Sequence, residues 1–209
     1  MFSTLALAEQ LTSARGAKTC QLTKAGKKVQ VQPTLIPVAV PFAPSTFDKN
    51  EDATRLTLEL RTNADILAYF DAFDIWAKEY LLSNSLRLFK KQLTEFQILE
   101  GYHPCVKRHK EGLYEPLLRC KLDKQGRRMT TFWTPQGDRR EAPEDWRAVT
   151  VIPQLEVTNL WCMSREMGFV IQCVALKGFE DSLEFPFAAD EEASSSMAQY
   201  ILRKRKRVP

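Results

Sequence analysis

The pattern of hydrophobic and polar residues is clearest in two apolar runs, Ala148–Leu160 and Phe169–Leu176, which flank a short polar connector. Both runs are rich in valine, isoleucine and leucine, residues that strands favour. Gly168 follows the connector and tolerates a positive φ or a close backbone approach at the bend. The pattern therefore predicts a long, bulged β-hairpin.

Shorter apolar or alternating segments predict further strands. Arg55–Arg61 alternates between polar and apolar residues, as a half-buried strand does. Residues 41–47 hold two prolines and two phenylalanines, and they predict a stiff loop packed over one end of a barrel. The other predicted strands are Thr19–Leu22, Lys27–Gln32, Leu35–Val40, Leu117–Leu122 and Met129–Trp133.

The spacing of apolar residues predicts two helical stretches that would cap the sheet. The first begins after an N-cap at Thr62 or Asn63, and the second covers Leu86–Phe96 after a break near Ser83–Ser85. The buried stripe of the first helix repeats every 3.6 residues through Ile66, Phe70, Phe73, Ala77 and Tyr80.

Length and composition suit one domain with terminal appendages. At 209 residues, 44% of them apolar and 27% charged, the chain can bury a core of ordinary size. No apolar run reaches the roughly 18 residues that predict a membrane span. We expect an N-terminal arm at 1–17, formed as an amphipathic helix or a mobile segment, then a domain at 18–178 and a tail at 179–209. The predicted fold class is mostly β (α+β).

Charge is distributed unevenly along the chain. Residues 1–179 carry 25 basic and 20 acidic residues, a net charge of +5. Residues 180–192 hold six acids and no base, and residues 203–207 read RKRKR. The overall net charge of +4 is too small to indicate nucleic-acid binding, so only clustering of the bases could do so.

Motifs of common enzyme classes are missing from the sequence. It has no GxGxxG, GxxxxGK[ST], GxSxG or HExxH motif. Neither His103 nor His109 has a local carboxylate or nucleophile pattern beside it, and with Cys105 they do not reach four zinc ligands. The five cysteines are odd in number and widely spaced, which favours buried free thiols over disulfides. We therefore predict no enzyme activity, no metal and no cofactor.

Residues 102–134 combine basic and aromatic side chains. In a strand at Leu117–Leu122, Arg119 and Lys121 project from one face while the apolar residues face the core. A cationic groove of this kind follows phosphates, and exposed rings stack on unpaired bases, so the region suits single-stranded nucleic acid. The same pattern also occurs in protein-interaction domains. The bases are Lys107, Arg108, Lys110, Arg119, Lys121, Lys124, Arg127 and Arg128, and the rings are Tyr102, Tyr114, Phe132 and Trp133.

Three short motifs follow one another along the domain. They are Pro-Phe-x-x-Ser-x-Phe (Pro41, Phe42, Ser45, Phe47), Tyr-x-Pro-x-Val-Lys (Tyr102, Pro104, Val106, Lys107) and Trp-x-Met with Met-Gly-Phe (Trp161, Met163, Met167, Gly168, Phe169). A tryptophan-containing helix and a basic strand lie between them. In this order of features, roughly residues 18–178 resemble the OB-fold single-stranded-DNA-binding proteins of large eukaryotic DNA viruses and related elements, and more distantly the T7-type phage proteins.

The resemblance implies a five-stranded OB-type barrel with extra strands. It also implies non-catalytic, largely sequence-independent binding of single-stranded DNA in replication, recombination or repair. An RNA-binding or transcription-linked module on the same fold, and a protein-interaction or virion structural protein, are the alternatives. Carried to this sequence, the groove residues are Lys107, Arg108, Lys110, Arg119, Lys121, Arg127 and Arg128, and the stacking rings are Tyr114, Phe132 and Trp161.

The segment after residue 179 adds two expectations. Its acidic part resembles the acidic-aromatic tails that recruit replication proteins, with Asp181, Glu184, Phe185 and Phe187 as the binding candidates. The basic run is typical of a nuclear-import signal or a phosphate-binding arm, and it consists of Arg203, Lys204, Arg205, Lys206 and Arg207. We therefore expect a nuclear location, or a viral replication site. Whether the protein forms a homodimer stays open.

Overall fold

Within residues 2–12, 18–46 and 53–180, which the computed structural model describes, the chain forms twelve strands and three α-helices. The strands are β1 (Leu5–Thr12), β2 (Lys18–Lys24), β3 (Val29–Val31), β4 (Val38–Ala39), β5 (Arg55–Arg61), β6 (Tyr102–His103), β7 (Val106–Lys107), β8 (Leu117–Asp123), β9 (Thr131–Trp133), β10 (Arg139–Arg140), β11 (Val149–Met163) and β12 (Glu166–Glu180). The helices are α1 (Ala64–Ser83), α2 (Ser85–Phe89) and α3 (Glu95–Gly101), and a 3₁₀ turn covers Trp146–Ala148.

These strands share one mixed sheet. Its main path runs β1, β2, β11, β12, β8, β5. Strand β12 is parallel to β8, β6 and β9, while β8 is antiparallel to β5 and β7. The fold class is as predicted, mostly β with helices (α+β), and the open mixed sheet is consistent with an OB-like fold.

The predicted long hairpin is present as β11 and β12. Both strands are longer than their apolar cores suggest, and a two-residue turn at Ser164 and Arg165 joins them. The positive φ of the bend, 59°, belongs to Ser164 and not to Gly168. Gly168 instead lies where a Cβ atom would come within 3.2 Å of Trp161 Cζ2 and 3.1 Å of the His103 carbonyl oxygen. Close approach, one of its two predicted uses, is therefore what this glycine permits.

Helix α1 supplies a large part of the core. Asn63 caps it as predicted, because its Oδ1 accepts a hydrogen bond from the Ile66 N–H at 3.0 Å. Phe70 and Phe73 are fully buried, in the same hydrophobic core as the buried leucines of β5 and β8. Since β5 and β8 each bury one face in this core, their other faces carry the polar side chains outward.

The expected helix or mobile arm at the N-terminus is wrong for Leu5–Thr12, which pairs as β1 with β2. Leu5 and Leu7 are buried while Ala6 and Ala8 are exposed, so the segment alternates with the period of a strand. The alternation is short, and the polar residues at 9 and 10 interrupt the apolar pattern, so the sequence alone does not predict a strand here.

The single helix predicted at Leu86–Phe96 is also wrong, because α2 and α3 are separate. Helix α2 ends at Phe89, its C-cap Lys90 has a φ of 57°, and Thr94 is the N-cap of α3. Thr94 and Gln97 form a capping box, in which each side chain accepts a hydrogen bond from the other residue's backbone N–H. The left-handed conformation of Lys90 and the N-cap at Thr94 together divide the predicted helix into two.

Met1–Phe179 forms one compact unit, and Glu180–Pro209 is a separate unit. The predicted boundaries of the arm, domain and tail stay a prediction. Among the helices of the described ranges, none is long and apolar enough to cross a membrane.

Candidate nucleic-acid interface

A groove of about 1130 Å³ runs over the polar faces of β5 and β8. One wall comes from residues 42–46 and another from residues 103–110. Trp161 of β11 and residues 169–171 of β12 complete the lining. The loop at 42–46 is fixed beside β5, because Ser45 and Thr57 exchange backbone hydrogen bonds of 3.0 and 2.7 Å. The predicted stiff loop therefore forms a side of this feature, which we term the cationic groove.

Five of the seven predicted cations line the cationic groove. Arg119 and Lys121 are exposed on β8, whereas Leu118, Cys120 and Leu122 between and beside them are buried, as the alternation predicts. Across the β5–β8 ladder, Thr57 lies opposite Lys121 and Glu59 opposite Arg119. The lining cations are Lys107, Arg108, Lys110, Arg119 and Lys121. The structure brings these residues together, and their role in binding stays a prediction.

The five cations differ in how strongly they are held. Arg119 Nε donates to Glu59 Oε1 at 2.6 Å, and Arg108 Nη2 donates to both carboxylate oxygens of Asp71 at 2.7 Å. In the part of the chain that the structure describes, the side chains of Lys107 and Lys110 make no hydrogen bond or ion pair. These two lysines can therefore reach a phosphate without giving up an internal contact.

Lys121 lies within a concentration of positive charge. Its Nζ donates to Thr57 Oγ1 at 2.9 Å. Partial burial of the amine lowers the pKa of Lys121, and the neighbouring Arg55 and Arg119 lower it further. An anion at this position would offset both effects, since it favours the protonated amine.

Aromatic rings lie along the same groove. Trp161, a predicted stacking residue, is half-buried, with its ring centroid 5.4 Å from that of His103. Gly168 makes room for this pair, because a side chain there would meet both residues. Phe42, on the opposite loop, is 56% exposed. A single groove thus offers cations together with ring faces that can contact bases.

The remaining predicted residues do not line the groove. Tyr114 is exposed in the loop before β8 and packs its ring edge-on against His109, with centroids 5.0 Å apart. Arg127 and Arg128 are exposed in the turn between β8 and β9. Phe132 contacts Trp146 in a different pocket, since β9 pairs with β12 at Ala175–Lys177, beyond the stretch that lines the groove.

Sequence reasoning missed Asp74, a buried carboxylate that anchors one groove wall. Its Oδ1 accepts from Tyr102 Oη at 2.6 Å, and its Oδ2 accepts from the Cys105 backbone N–H at 3.0 Å. Burial raises the pKa of Asp74 despite these hydrogen bonds, and burial likewise raises the pKa of the Cys105 thiol. An aspartate inside the apolar stripe of α1 was the signal available in the sequence. Phe42, His103 and Glu59 were also not predicted as site residues, although the motifs included Phe42.

Several predicted residues lie in parts of the chain that the structure does not describe. The tail candidates Asp181, Glu184, Phe185 and Phe187, and the basic run Arg203–Arg207, lie outside the described residues, as does Phe47 of the first motif. Across the described ranges, no group of three or more His, Cys, Asp or Glu residues is arranged to hold a metal ion. All five cysteines are free thiols.

Comparison with known proteins gives no family. No family model matches the chain, and no curated protein matches it. Solved structures with a similar course of the chain include the single-stranded DNA-binding protein from bacteriophage Enc34 in complex with ssDNA. It has a TM-score of 0.45 and 8% identity, over 86% of this chain and 97% of that one. A C-terminal truncation of the phage protein gives a TM-score of 0.42 at 8% identity, over 87% and 98% of the two chains. A further structure of the phage protein gives a TM-score of 0.38 at 9% identity, over 85% of this chain and 90% of that one.

At these TM-scores the likeness assigns neither a family nor a ligand, so the function is derived from the groove itself. The resemblance to proteins of eukaryotic viruses stays a prediction.

Proposed function

We propose that this protein binds single-stranded DNA, without catalysis and largely independently of base sequence, along the cationic groove. The observation that carries the proposal is one groove lined by five cations and by the rings of Trp161, His103 and Phe42. Lysine and arginine side chains follow a phosphate backbone, and ring stacking contributes about 1–3 kcal/mol per base. Every base has a π-face, so such binding tolerates any sequence.

The rings favour a single strand over a duplex. In a duplex, neighbouring bases cover each base face, so Trp161 and Phe42 could stack only on bases that are unpaired. A duplex could still use the cations, but it would gain nothing from the rings. We therefore expect the protein to prefer single strands to the matching duplex at every salt concentration.

The wider role that we propose is protection or handling of single strands in replication, recombination or repair. The acidic segment with Asp181, Glu184, Phe185 and Phe187 would recruit replication proteins, and the basic run at 203–207 would direct the protein to the nucleus. Six tethered negative charges would also have a high effective concentration at a cationic surface. Deleting residues 180–209 should then remove partner recruitment while the groove still binds DNA.

The proposal is tested by charge reversal at the two lysines that have no internal partner. Lys107→Glu/Lys110→Glu should weaken binding of a fluorescent oligothymidylate strongly, because it removes two phosphate contacts. On a plot of log affinity against log salt, the slope should become shallower by roughly 1.4, about 0.7 for each lost contact with a single strand. DNA binding should quench tryptophan fluorescence in the wild type, and Trp161→Phe should reduce that quenching.

The matched control is Lys24→Glu/Lys27→Glu, which changes net charge equally at two exposed residues that flank the turn after β2 and do not line the groove. If both double variants bind DNA equally, the groove is not the site, and an interaction with an acidic protein becomes the better explanation. Tighter binding of an oligouridylate would instead indicate an RNA-binding protein, through the 2′-hydroxyl. Shortened strands after incubation with Mg²⁺ would contradict a non-catalytic role.

A further inference from the structure

A second pocket, of about 530 Å³, lies beside the cationic groove. Ala43 lines both, so the loop at 42–46 forms a shared wall. On β8, Lys121 lines the groove, and Leu122, which projects from the opposite face of the strand, lines the second pocket, so the contact between the two cavities lies at the Ala43 loop. A chain of nucleotides that leaves the groove over Ala43 would arrive directly at this pocket.

The second pocket is lined by aromatic and other apolar side chains. Phe132 and Trp146 are half-buried and form an edge-to-face pair, with centroids 5.8 Å apart and planes at 73°. Leu122 and Met129 add further apolar surface to the lining. A flat apolar group such as a nucleobase would therefore meet aromatic surface there, with carbon contacts around it.

The rim of the second pocket is positively charged. Lys124 and Arg139 line it and are exposed, and Arg127 and Arg128 lie in the same turn as Lys124. Of the two acids in the lining, Asp123 is already paired with Arg55, with Arg55 Nε and Asp123 Oδ1 3.3 Å apart, and Glu141 is exposed. An apolar pocket with a cationic rim matches a nucleotide, which joins an aromatic base to a phosphate.

We propose that the second pocket is a nucleobase site that holds an unstacked base of the same DNA strand that occupies the cationic groove. This inference rests on the proposed function. The site would lengthen the stretch of DNA that the protein binds beyond the groove. It also gives Phe132, Arg127 and Arg128 a position in binding, although none of them lines the groove. The rim charge and the shared wall favour a nucleotide over the side chain of a partner protein.

Photo-crosslinking tests this site in the wild-type protein. An oligonucleotide of about 15 residues, long enough for groove and pocket together, carries 5-iodouracil at successive positions. Irradiation joins this base to aromatic residues that contact it, and peptide mass spectrometry locates the bond. We expect one set of positions to crosslink to Trp161 and a separate set to Trp146 or Phe132. Crosslinks confined to groove residues would overturn the proposal.

Affinity for strands of two lengths gives a second readout. Trp146→Leu keeps an apolar side chain but removes the ring, and Lys124→Gln/Arg139→Gln removes two rim charges. Each should weaken binding of the longer strand by about five-fold or more, and leave a strand of about five nucleotides, which fits the groove alone, unchanged. The control Lys24→Gln/Lys27→Gln removes the same charge elsewhere and should change neither.

The outcomes separate this inference from the function on which it rests. If the wild type binds neither strand, the proposed function itself fails. If it binds both strands and the rim and ring variants match the wild type, only the nucleobase site fails. If Trp146→Leu lowers the thermal stability, the rim double variant and the crosslinks still decide the question. Binding of an apolar peptide that DNA cannot displace would show a protein-docking pocket instead, and would also overturn the inference.

Discussion

At the scale of single residues, Glu59 places a carboxylate in a groove that otherwise carries positive charge. Its hydrogen bond to Arg119 orients that guanidinium, but it also neutralises it and would repel a phosphate. Glu59→Gln keeps a hydrogen-bond acceptor and removes the charge. Two unit charges about 4 Å apart interact by about 1 kcal/mol in water, so we expect Kd for single-stranded DNA to fall by roughly five-fold.

Measuring Kd for Glu59→Gln beside Glu79→Gln tests this expectation. Glu79 is exposed on α1 and does not line the groove, so its replacement changes net charge equally but not locally. Weaker binding by Glu59→Gln would mean that the ion pair is needed to aim Arg119 at the phosphate.

Lys121 provides a pH dependence with a defined sign. Its pKa lies below the ordinary 10.5, first because of burial and then because of Arg55 and Arg119. Phosphate binding requires the protonated amine, so affinity should fall as pH rises through this lowered pKa. Over the window between the lowered pKa and 10.5, the unfolded chain holds the proton that the folded chain has lost. The contribution of Lys121 to the free energy of unfolding should therefore rise with pH across the same window.

Lys121→Gln isolates this titration from that of other groups. The ratio of its Kd to that of the wild type should be largest below the lowered pKa and approach one above it. In the wild type, binding within the window should also take up a proton, which is visible as a dependence of the calorimetric binding enthalpy on the buffer. A Kd ratio that does not change with pH would show that the Lys121 amine does not contact DNA.

At the scale of elements, Asp74 connects α1 to the wall of the groove at residues 103–107. Asp74→Ala leaves the Tyr102 hydroxyl and the Cys105 N–H without their acceptor, and a buried unsatisfied group costs about 1–3 kcal/mol. We expect a lower free energy of unfolding and also weaker DNA binding, because the wall carries His103 and Lys107.

Tyr102→Phe is the matched comparison, since it removes one hydrogen bond and leaves the one from Cys105. Its loss of stability and of affinity should both be smaller than those of Asp74→Ala. Chemical denaturation gives the first quantity and fluorescence titration the second. Full affinity in a destabilised Asp74→Ala protein would mean that other contacts position the wall.

The elements differ in how far the sequence predicts them. Arg55–Arg61 is confirmed to the residue, because strict alternation directly reflects one buried face. The break between α2 and α3 was missed although the capping box of Thr94 and Gln97 is readable in the sequence. Strand β1 was missed because its alternation is short, and because pairing with β2 supplies the hydrogen bonds that make it a strand.

The candidate site was predictable only where local structure determines it. Alternation along β8 is enough to place Arg119 and Lys121 on one face. The approach of the 42–46 loop to β5 and the parallel pairing of β12 with β9 are contacts between distant parts of the chain. Such contacts decide that Phe42 reaches the groove and that Phe132 does not, and no local pattern encodes them.

At the scale of the whole molecule, the N-terminal segment and the groove serve different purposes. Phe2 is buried against Tyr69, Phe73 and Trp76, with ring centroids 5.6, 5.7 and 6.1 Å away, and none of these four residues lines the groove. Phe2→Ala should lower the free energy of unfolding by about 3 kcal/mol. For a domain of this size that corresponds to a fall in Tm of roughly 6–12 °C.

The same variant should leave DNA affinity within about two-fold of the wild type at 25 °C, because distant sites in a folded protein act independently. One route could couple them: Phe73 packs on Phe169, which lines the groove, with centroids 5.0 Å apart. Arg119→Gln is the reciprocal control, since it should weaken binding and leave Tm almost unchanged. If Phe2→Ala weakens binding as much as Arg119→Gln does, the aromatic cluster holds the groove in shape, and stability and binding are then not separable in this fold.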